Sequence, residues 1–191
     1  MPNAELVDIL RQIDTTRIQA TIQKLTTFGT RHTLSSQTDP VRGIGAARDW
    51  IASEMRAIAA TSNRRMTVTV QVFLQQTSGT VISNPTNITN VFITLAGSKE
   101  PNRAYVVSGH YDSRVTDIND FTDDAPGAND SDDASGVAVS MELTRVMATH
   151  ESAATLIFAA VAGEEHGLFG SAFMAAQLKK DGVDVPKHAR Y

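Results

Sequence analysis

An α/β fold built on a largely parallel sheet is predicted by three features of the sequence. Two short, nearly continuous apolar runs, Ala104 to Ser108 and Ala154 to Ala162, have the pattern of strands covered on both faces. A segment of helical period, from about Ala134 to Thr149, lies between them and completes a strand, helix, strand unit. Upstream, Met66, Val68, Val70 and Val72 alternate with Thr67, Thr69 and Gln71, the period of a half-buried strand.

The elements follow in order. From Glu5 to Phe28, Leu6, Ile9, Leu10, Ile13, Ile18, Ile22 and Leu25 recur at helical spacing, which predicts one or two amphipathic helices ending at Gly29. A polar stretch, Thr30 to Pro40, comes next. Gly43 to Ala60 then carries Ile44, Ala47, Ile51, Met55 and Ile58 on one face of a further helix. After the strand at Met66, Asn87 to Leu95 reads as another. In the helix at 134–149, Glu142, Arg145 and Thr149 are expected on one face and Val139, Leu143, Val146 and Met147 on the opposite one. A last helix runs from Leu168 to Lys180, closed by Gly182 with Pro186 beyond it. With no internal repeat or low-complexity tract, residues 1–191 read as one domain, in which 1–62 form a helical lead-in and 63–191 carry the sheet and the site.

Bulk properties exclude several classes. The 191 residues are 41% hydrophobic and 20% charged, within the range of an ordinary globular domain. The net charge of -4 is spread over the chain with no Lys/Arg cluster, so nucleic acid is not an expected partner. No apolar run approaches the roughly 18 to 20 residues that span a bilayer, and Met1 to Leu10 lacks the basic and apolar blocks of a leader. Cysteine is absent, which removes disulfides, thiolate metal sites and cysteine nucleophiles together.

The strand, helix, strand unit makes a spatial statement. Parallel strands joined by a helical crossover end on the same edge of the sheet, where the crossover helix begins. The first strand runs into Gly109-His110-Tyr111-Asp112-Ser113 and the second into Gly163-Glu164-Glu165-His166-Gly167. The helix is preceded by Gly127 to Gly136, which contains Asn129, Asp130, Asp132 and Asp133. All three clusters are therefore expected at the carboxyl edge, where open α/β sheets bind ligands. Carboxylates crowded there repel one another, and a divalent cation resolves the repulsion. One imidazole with carboxylates and no sulfur suits zinc, manganese or cobalt better than calcium, and zinc is the first choice.

Each residue also has a plainer role to weigh. Asp133 or Ser135 is placed to cap the helix that follows. Asp117, Asp120, Asp123 and Asp124 read as a solvated acidic loop, and His32, His150, His166 and His188 are expected at the surface. Other motifs fail. His150-Glu151 is followed by Ala154 where an HExxH helix needs histidine, and an EF-hand starting at Asp130 would meet Ser135 and Met141 where it needs Gly and Glu. There is no G-x-S-x-G elbow and no Walker loop. Asn87-Ile88-Thr89 and Asn129-Asp130-Ser131 match the glycosylation sequon, a pattern too short to carry weight.

Gly109-His110-Tyr111-Asp112-Ser113, the loop ending Asp132-Asp133-Ala134-Ser135-Gly136, and Gly163-Glu164-Glu165 with Gly167 and Gly170-Ser171 together resemble metallopeptidase family twenty-eight, the co-catalytic two-zinc aminopeptidases of leucyl aminopeptidase and aminopeptidase Y type. The resemblance spans about Tyr105 to Leu178. It implies a three-layer α/β/α domain with a mixed, largely parallel sheet. It implies that His110 ligates one zinc, Asp132 bridges both and Glu165 ligates the other, with Glu164 as general base and Asp112 orienting the His110 ring. The loop is two residues longer than the usual Gly-Ala-x-Asp-Asp-Ala-Ser-Gly, so counting forward selects Asp130 as the bridge and counting back from the helix selects Asp132. The helix start is the rigid reference and favours Asp132. A peptide or protein substrate with a free N-terminus and a secreted or periplasmic setting are also implied. The same scaffold serves carboxypeptidases and glutaminyl cyclases, and a non-catalytic interaction domain is the reading from another class. The family's remaining ligands, an Asp and a distant His, have no counterpart before Tyr191. The expectation is an N-terminal part with an incomplete ligand set, weak metal binding and an exposed sheet edge.

Overall fold

A computed structural model describes residues 3–122 and 131–185. The helical lead-in is two helices, α1 (Ala4–Arg11) and α2 (Thr15–Thr26), because Asp14 breaks the run and caps the second, accepting from the N–H of Thr16 at 2.8 Å. α1 buries no residue and α2 buries Leu25 alone, so both lie on the outside. Helix α3 (Gly43–Thr61) buries Ile44, Ala47, Ile51 and Met55, the stripe its spacing predicts.

The sheet has strands β1 (Met66–Gln75), β2 (Thr86–Leu95) and β3 (Glu100–His110); a two-residue ladder β4 (Ser113–Arg114) and β5 (Ser131–Asp132) follows, then helix α4 (Ala134–Met147), strand β6 (Ala154–Val161) and helix α5 (Phe169–Lys180). The strand order is β1-β2-β6-β3. β2 is antiparallel to β1 and to β6, and only β3 and β6 run parallel among the described strands of this sheet. The sheet is thus mixed as expected, but its parallel part is confined to the β3–α4–β6 crossover. The connection from Gln75 to Thr86 is too short to carry a helical crossover, so it reverses the chain.

Three layers result. On one face Val91, Ile93 and Leu95 of β2 pack with α3 and with Val137 and Met141 of α4. On the other, Phe92, Ile157, Ala159 and Val161 pack with Met174 of α5. The alternation along β2 divides its side chains between the two cores.

Helix α4 is rotated from the orientation expected of it. Glu142 is 4% exposed and Val139 40%. The Glu142 carboxylate faces α2 because two partners are there, Arg17 at 3.5 Å and the N–H of Asp14, which it accepts at 2.8 Å, while Arg145 of its own helix pairs with it at 2.6 Å. A buried carboxylate is tolerated when its charge and lone pairs are both met. No helix among the described residues is long and apolar enough to cross a membrane.

Candidate metal centre

In the parallel pair of β3 and β6, His110 lies opposite Val161, so Tyr111 to Ser113 and Gly163 to Glu165 leave the sheet at one edge. The N-terminus of α4 is drawn to that edge by a backbone contact. A Cβ on Gly109 would stand 2.2 Å from the N of Val137 and 2.3 Å from the C of Gly136, so only glycine fits there. Asp133 caps α4, accepting the N–H of Gly136 at 2.9 Å on one oxygen. Its other oxygen takes the N–H of His110 at 3.3 Å, tying the end of β3 to the start of the helix.

His110, Glu164 and Glu165 converge. The imidazole Nε2 is 3.6 Å from Glu164 Oε2 and 3.9 Å from Glu165 Oε1, and one ligand atom from each residue lies within 4.8 Å of the other two. His110 Nδ1 is 2.9 Å from the main-chain carbonyl oxygen of Asp112 and 3.5 Å from its carboxylate Oδ1. The ring bond thus goes to the Asp112 carbonyl, with the carboxylate behind it. That carboxylate, fully buried, accepts the N–H of Glu164 at 3.3 Å and of Glu165 at 3.2 Å. It fastens the turn after β6 to the turn after β3.

Charge is concentrated here. Burial would lower the His110 pKa, but the hydrogen bonds and charge of Asp112, with Glu164, outweigh it and push it up to about 9. Glu165 is raised, chiefly by burial, with Glu164 and Asp112 adding to it against His110 and Arg114. Arg114 donates through Nε to Glu165 Oε2 at 3.1 Å. An imidazole with one nitrogen pinned and the other facing two carboxylates, in a crowded and partly buried hollow, fits a divalent cation of zinc type.

Asp132 stands beside this trio rather than in it. It pairs with Ser113 in the β4–β5 ladder, three residues beyond His110. Its Oδ1 accepts the N–H of Ala134 at 2.9 Å, and its Oδ2 accepts from Nη2 of Arg31. Arg31 is 0% exposed and also donates to the carbonyls of Tyr111 at 2.8 Å and Leu25 at 3.0 Å. The alternative bridge, Asp130, lies outside the described residues, as do Asp123, Asp124 and His188.

Two histidines expected at the surface are in the interior. His32 is 0% and His166 4% exposed. Their Nε2 atoms are 2.9 Å apart, and His166 Nδ1 is 3.1 Å from Thr33 Oγ1. Burial lowers both pKa values, that of His166 to about 4 with the neighbouring His32 contributing. Each finds its partner 134 positions away, and no local pattern announces such a pair; Arg31 escaped notice for the same reason. His150 is half-buried beside Gln12. Asp117 and Asp120 serve local turns, accepting the N–H groups of Asn119 and Thr122, in keeping with a solvated loop.

The profile of peptidase family M28 matches residues 90–186. A probable zinc metalloprotease of Pyricularia oryzae is 59% identical over 185 residues, covering 97% of this chain and 36% of its own length. The chain spans 36% to 42% of the length of the curated relatives it matches. Among solved structures, LapB from Legionella pneumophila superposes with a TM-score of 0.68 at 26% identity over 96% of this chain and 44% of that one. The LapA aminopeptidase of the same organism has a TM-score of 0.69 at 20% identity, covering 97% of this chain and 44% of that one, a likeness of fold.

Proposed function

Because this chain belongs to peptidase family M28, we propose that it forms the zinc-binding part of an aminopeptidase, hydrolysing peptide bonds next to a free N-terminus. One observation carries the reading: the Nε2 of His110 faces the carboxylates of Glu164 and Glu165 at 3.6 and 3.9 Å. Zinc is the metal named for the curated relatives, and an aminopeptidase of the same fold supports the exopeptidase choice.

In this reading His110, Asp132 and Glu165 would hold the metal, two ions in all, with Asp132 the carboxylate common to both in place of the bond it now accepts from Arg31. Bound zinc lowers the pKa of water and polarises the scissile carbonyl. The chain's own residues do the rest. The Asp112 carbonyl keeps the His110 proton on Nδ1, leaving Nε2 as the ligating nitrogen. Glu164 and Glu165 divide their work by exposure. The Glu165 side chain is 11% exposed and anchored by Arg114, whereas that of Glu164 is 36% exposed. Glu164 can therefore reach the attacking water, accept its proton and deliver it to the leaving amine.

The test is hydrolysis by the zinc-loaded chain of aminoacyl anilides, the same anilides acetylated at the amine, and peptides starting with glutamine. Turnover of the free amines alone supports the reading. Cleavage of the blocked substrates or cyclisation of the glutaminyl peptide overturns it.

A further inference from the structure

The polar segment after α2 sends three residues into the interior, Arg31, His32 and Thr33, none more than 1% exposed. Its hydrogen bonds have a direction. The N–H of Leu34 donates to Nδ1 of His32 at 3.0 Å, so that nitrogen carries no proton and the ring's proton is on Nε2. Two atoms face this Nε2, the Ile118 carbonyl oxygen at 3.1 Å and the Nε2 of His166 at 2.9 Å. Both must accept, because a protonated ring nitrogen has no lone pair with which to accept. His166 is thereby fixed with its proton on Nδ1, and the partner of Nδ1 is Thr33 Oγ1 at 3.1 Å. Having accepted there, the Thr33 hydroxyl donates its own proton to Asp112 Oδ2 at 3.3 Å. The chain of bonds ends on the carboxylate that holds the N–H groups of Glu164 and Glu165 and stands behind the His110 ring.

We propose that His32, Thr33 and His166 are positioning residues for the metal centre: a one-way chain of hydrogen bonds, with His32 protonated on Nε2 and His166 on Nδ1, fixes Asp112 and through it His110 and Glu165. The inference rests on the metal-binding reading of His110 and Glu165. It explains why two imidazoles are sealed inside the protein next to the site without facing it. Each satisfies the other and passes a fixed donor to the Thr33 hydroxyl, which neither a hydrophobic pair nor a single histidine would do.

Two measurements test it on the intact chain. Nitrogen-15 shifts of the imidazoles read the tautomers directly in the unaltered protein: Nε2–H on His32 and Nδ1–H on His166 are expected, and Nε2–H on His166 overturns the proposal. Zinc affinity is then measured by competition with a chromophoric chelator. Thr33→Val, which keeps the shape and removes the hydroxyl, is expected to weaken zinc binding about 10- to 100-fold, and Thr33→Ser to restore it to within about threefold. Equal affinity of Thr33→Val and the unaltered chain overturns the proposal, and so does a Thr33→Ser as weak as Thr33→Val, since packing alone would then account for the loss. An unaltered chain that binds no zinc refutes the metal-binding reading instead, and the tautomers then decide by themselves whether the chain of bonds exists.

Discussion

The buried guanidinium of Arg31 donates through Nη2 to the carboxylate of Asp132, 101 residues further along the chain. Its Nε and Nη1 hold the carbonyls of Tyr111 and Leu25. One side chain thus joins the segment after α2, the turn after β3 and the two-residue strand before α4. Removing one partner of a buried ion pair leaves the other uncompensated.

Arg31→Met is therefore expected to destabilise the metal-free chain by about 3–5 kcal/mol, read as a lower urea midpoint. Arg31→Lys is expected to recover little of it, because an ammonium cannot serve carbonyls and a carboxylate in the fork geometry of a guanidinium. A loss below about 1 kcal/mol, the level of an exposed ion pair, would show that the pair does not hold these segments together.

Gly109→Ala tests the backbone contact that brings α4 to the edge of the sheet. The added methyl would meet the main chain of Val137 and Gly136 at 2.2 and 2.3 Å, and the main chain has no rotamer by which to move aside. A cost of about 1–3 kcal/mol is expected from overpacking. A shift of the α4 N-terminus also moves Asp133 away from the His110 N–H, so zinc affinity should fall with stability. Unchanged urea midpoint and zinc affinity would count against the contact.

Local pattern and long-range partnership divide what the sequence disclosed from what it hid. The stripe Ile44, Ala47, Ile51 and Met55, and the apolar run of β6, specify their environment from within one element, and each occupies the core expected of it, whereas the run of β3, expected to be covered on both faces, leaves Tyr105 and Ser108 exposed because β3 is the last strand of the described sheet. Glu142 is not specified from within its own element. Its inward orientation depends on Arg17 and the N–H of Asp14, on a helix more than a hundred residues earlier, and periodicity counts a carboxylate as solvent-facing. The burial of His32 and His166 is likewise a property of the pair. At the site, the turns after β3 and β6 were legible because a parallel crossover delivers both to one edge. The tie between Asp132 and Arg31 was not, since it joins two loops.

The raised pKa of His110 gives a pH dependence whose sign can be worked out. In the metal-free folded chain the group titrates at about 9, against the ordinary 6.5 of the unfolded chain. Its stabilisation is then fully present below about pH 6.5 and is lost as the pH rises through about 9. At about 1.4 kcal/mol per pKa unit, the stability difference between the unaltered chain and His110→Gln in chelator should shrink by on the order of 2–3 kcal/mol over that interval. Chemical denaturation at a series of pH values checks this, and a constant difference would show that Asp112 and Glu164 do not hold the proton on the ring.

The division of labour between the adjacent glutamates is tested by exchanging each for its amide. Glu164→Gln keeps size and shape, and the N–H that fastens residue 164 to Asp112 is main chain, so the turn should be undisturbed. With Glu165 and His110 intact, zinc content should match that of the unaltered chain. Turnover should fall about 10²- to 10⁴-fold, the contribution of a positioned general base. Glu165→Gln should do the reverse at the first step, releasing zinc because an anionic ligand has become a neutral one, and losing turnover as a consequence. Restoring zinc by raising its concentration should then rescue Glu165→Gln in part and leave Glu164→Gln inactive. Metal analysis after dialysis, beside initial rates across a zinc titration, separates the two cases. If Glu164→Gln lost its zinc and recovered at high zinc while Glu165→Gln kept it, the roles assigned by exposure and by the Arg114 anchor would have to be exchanged.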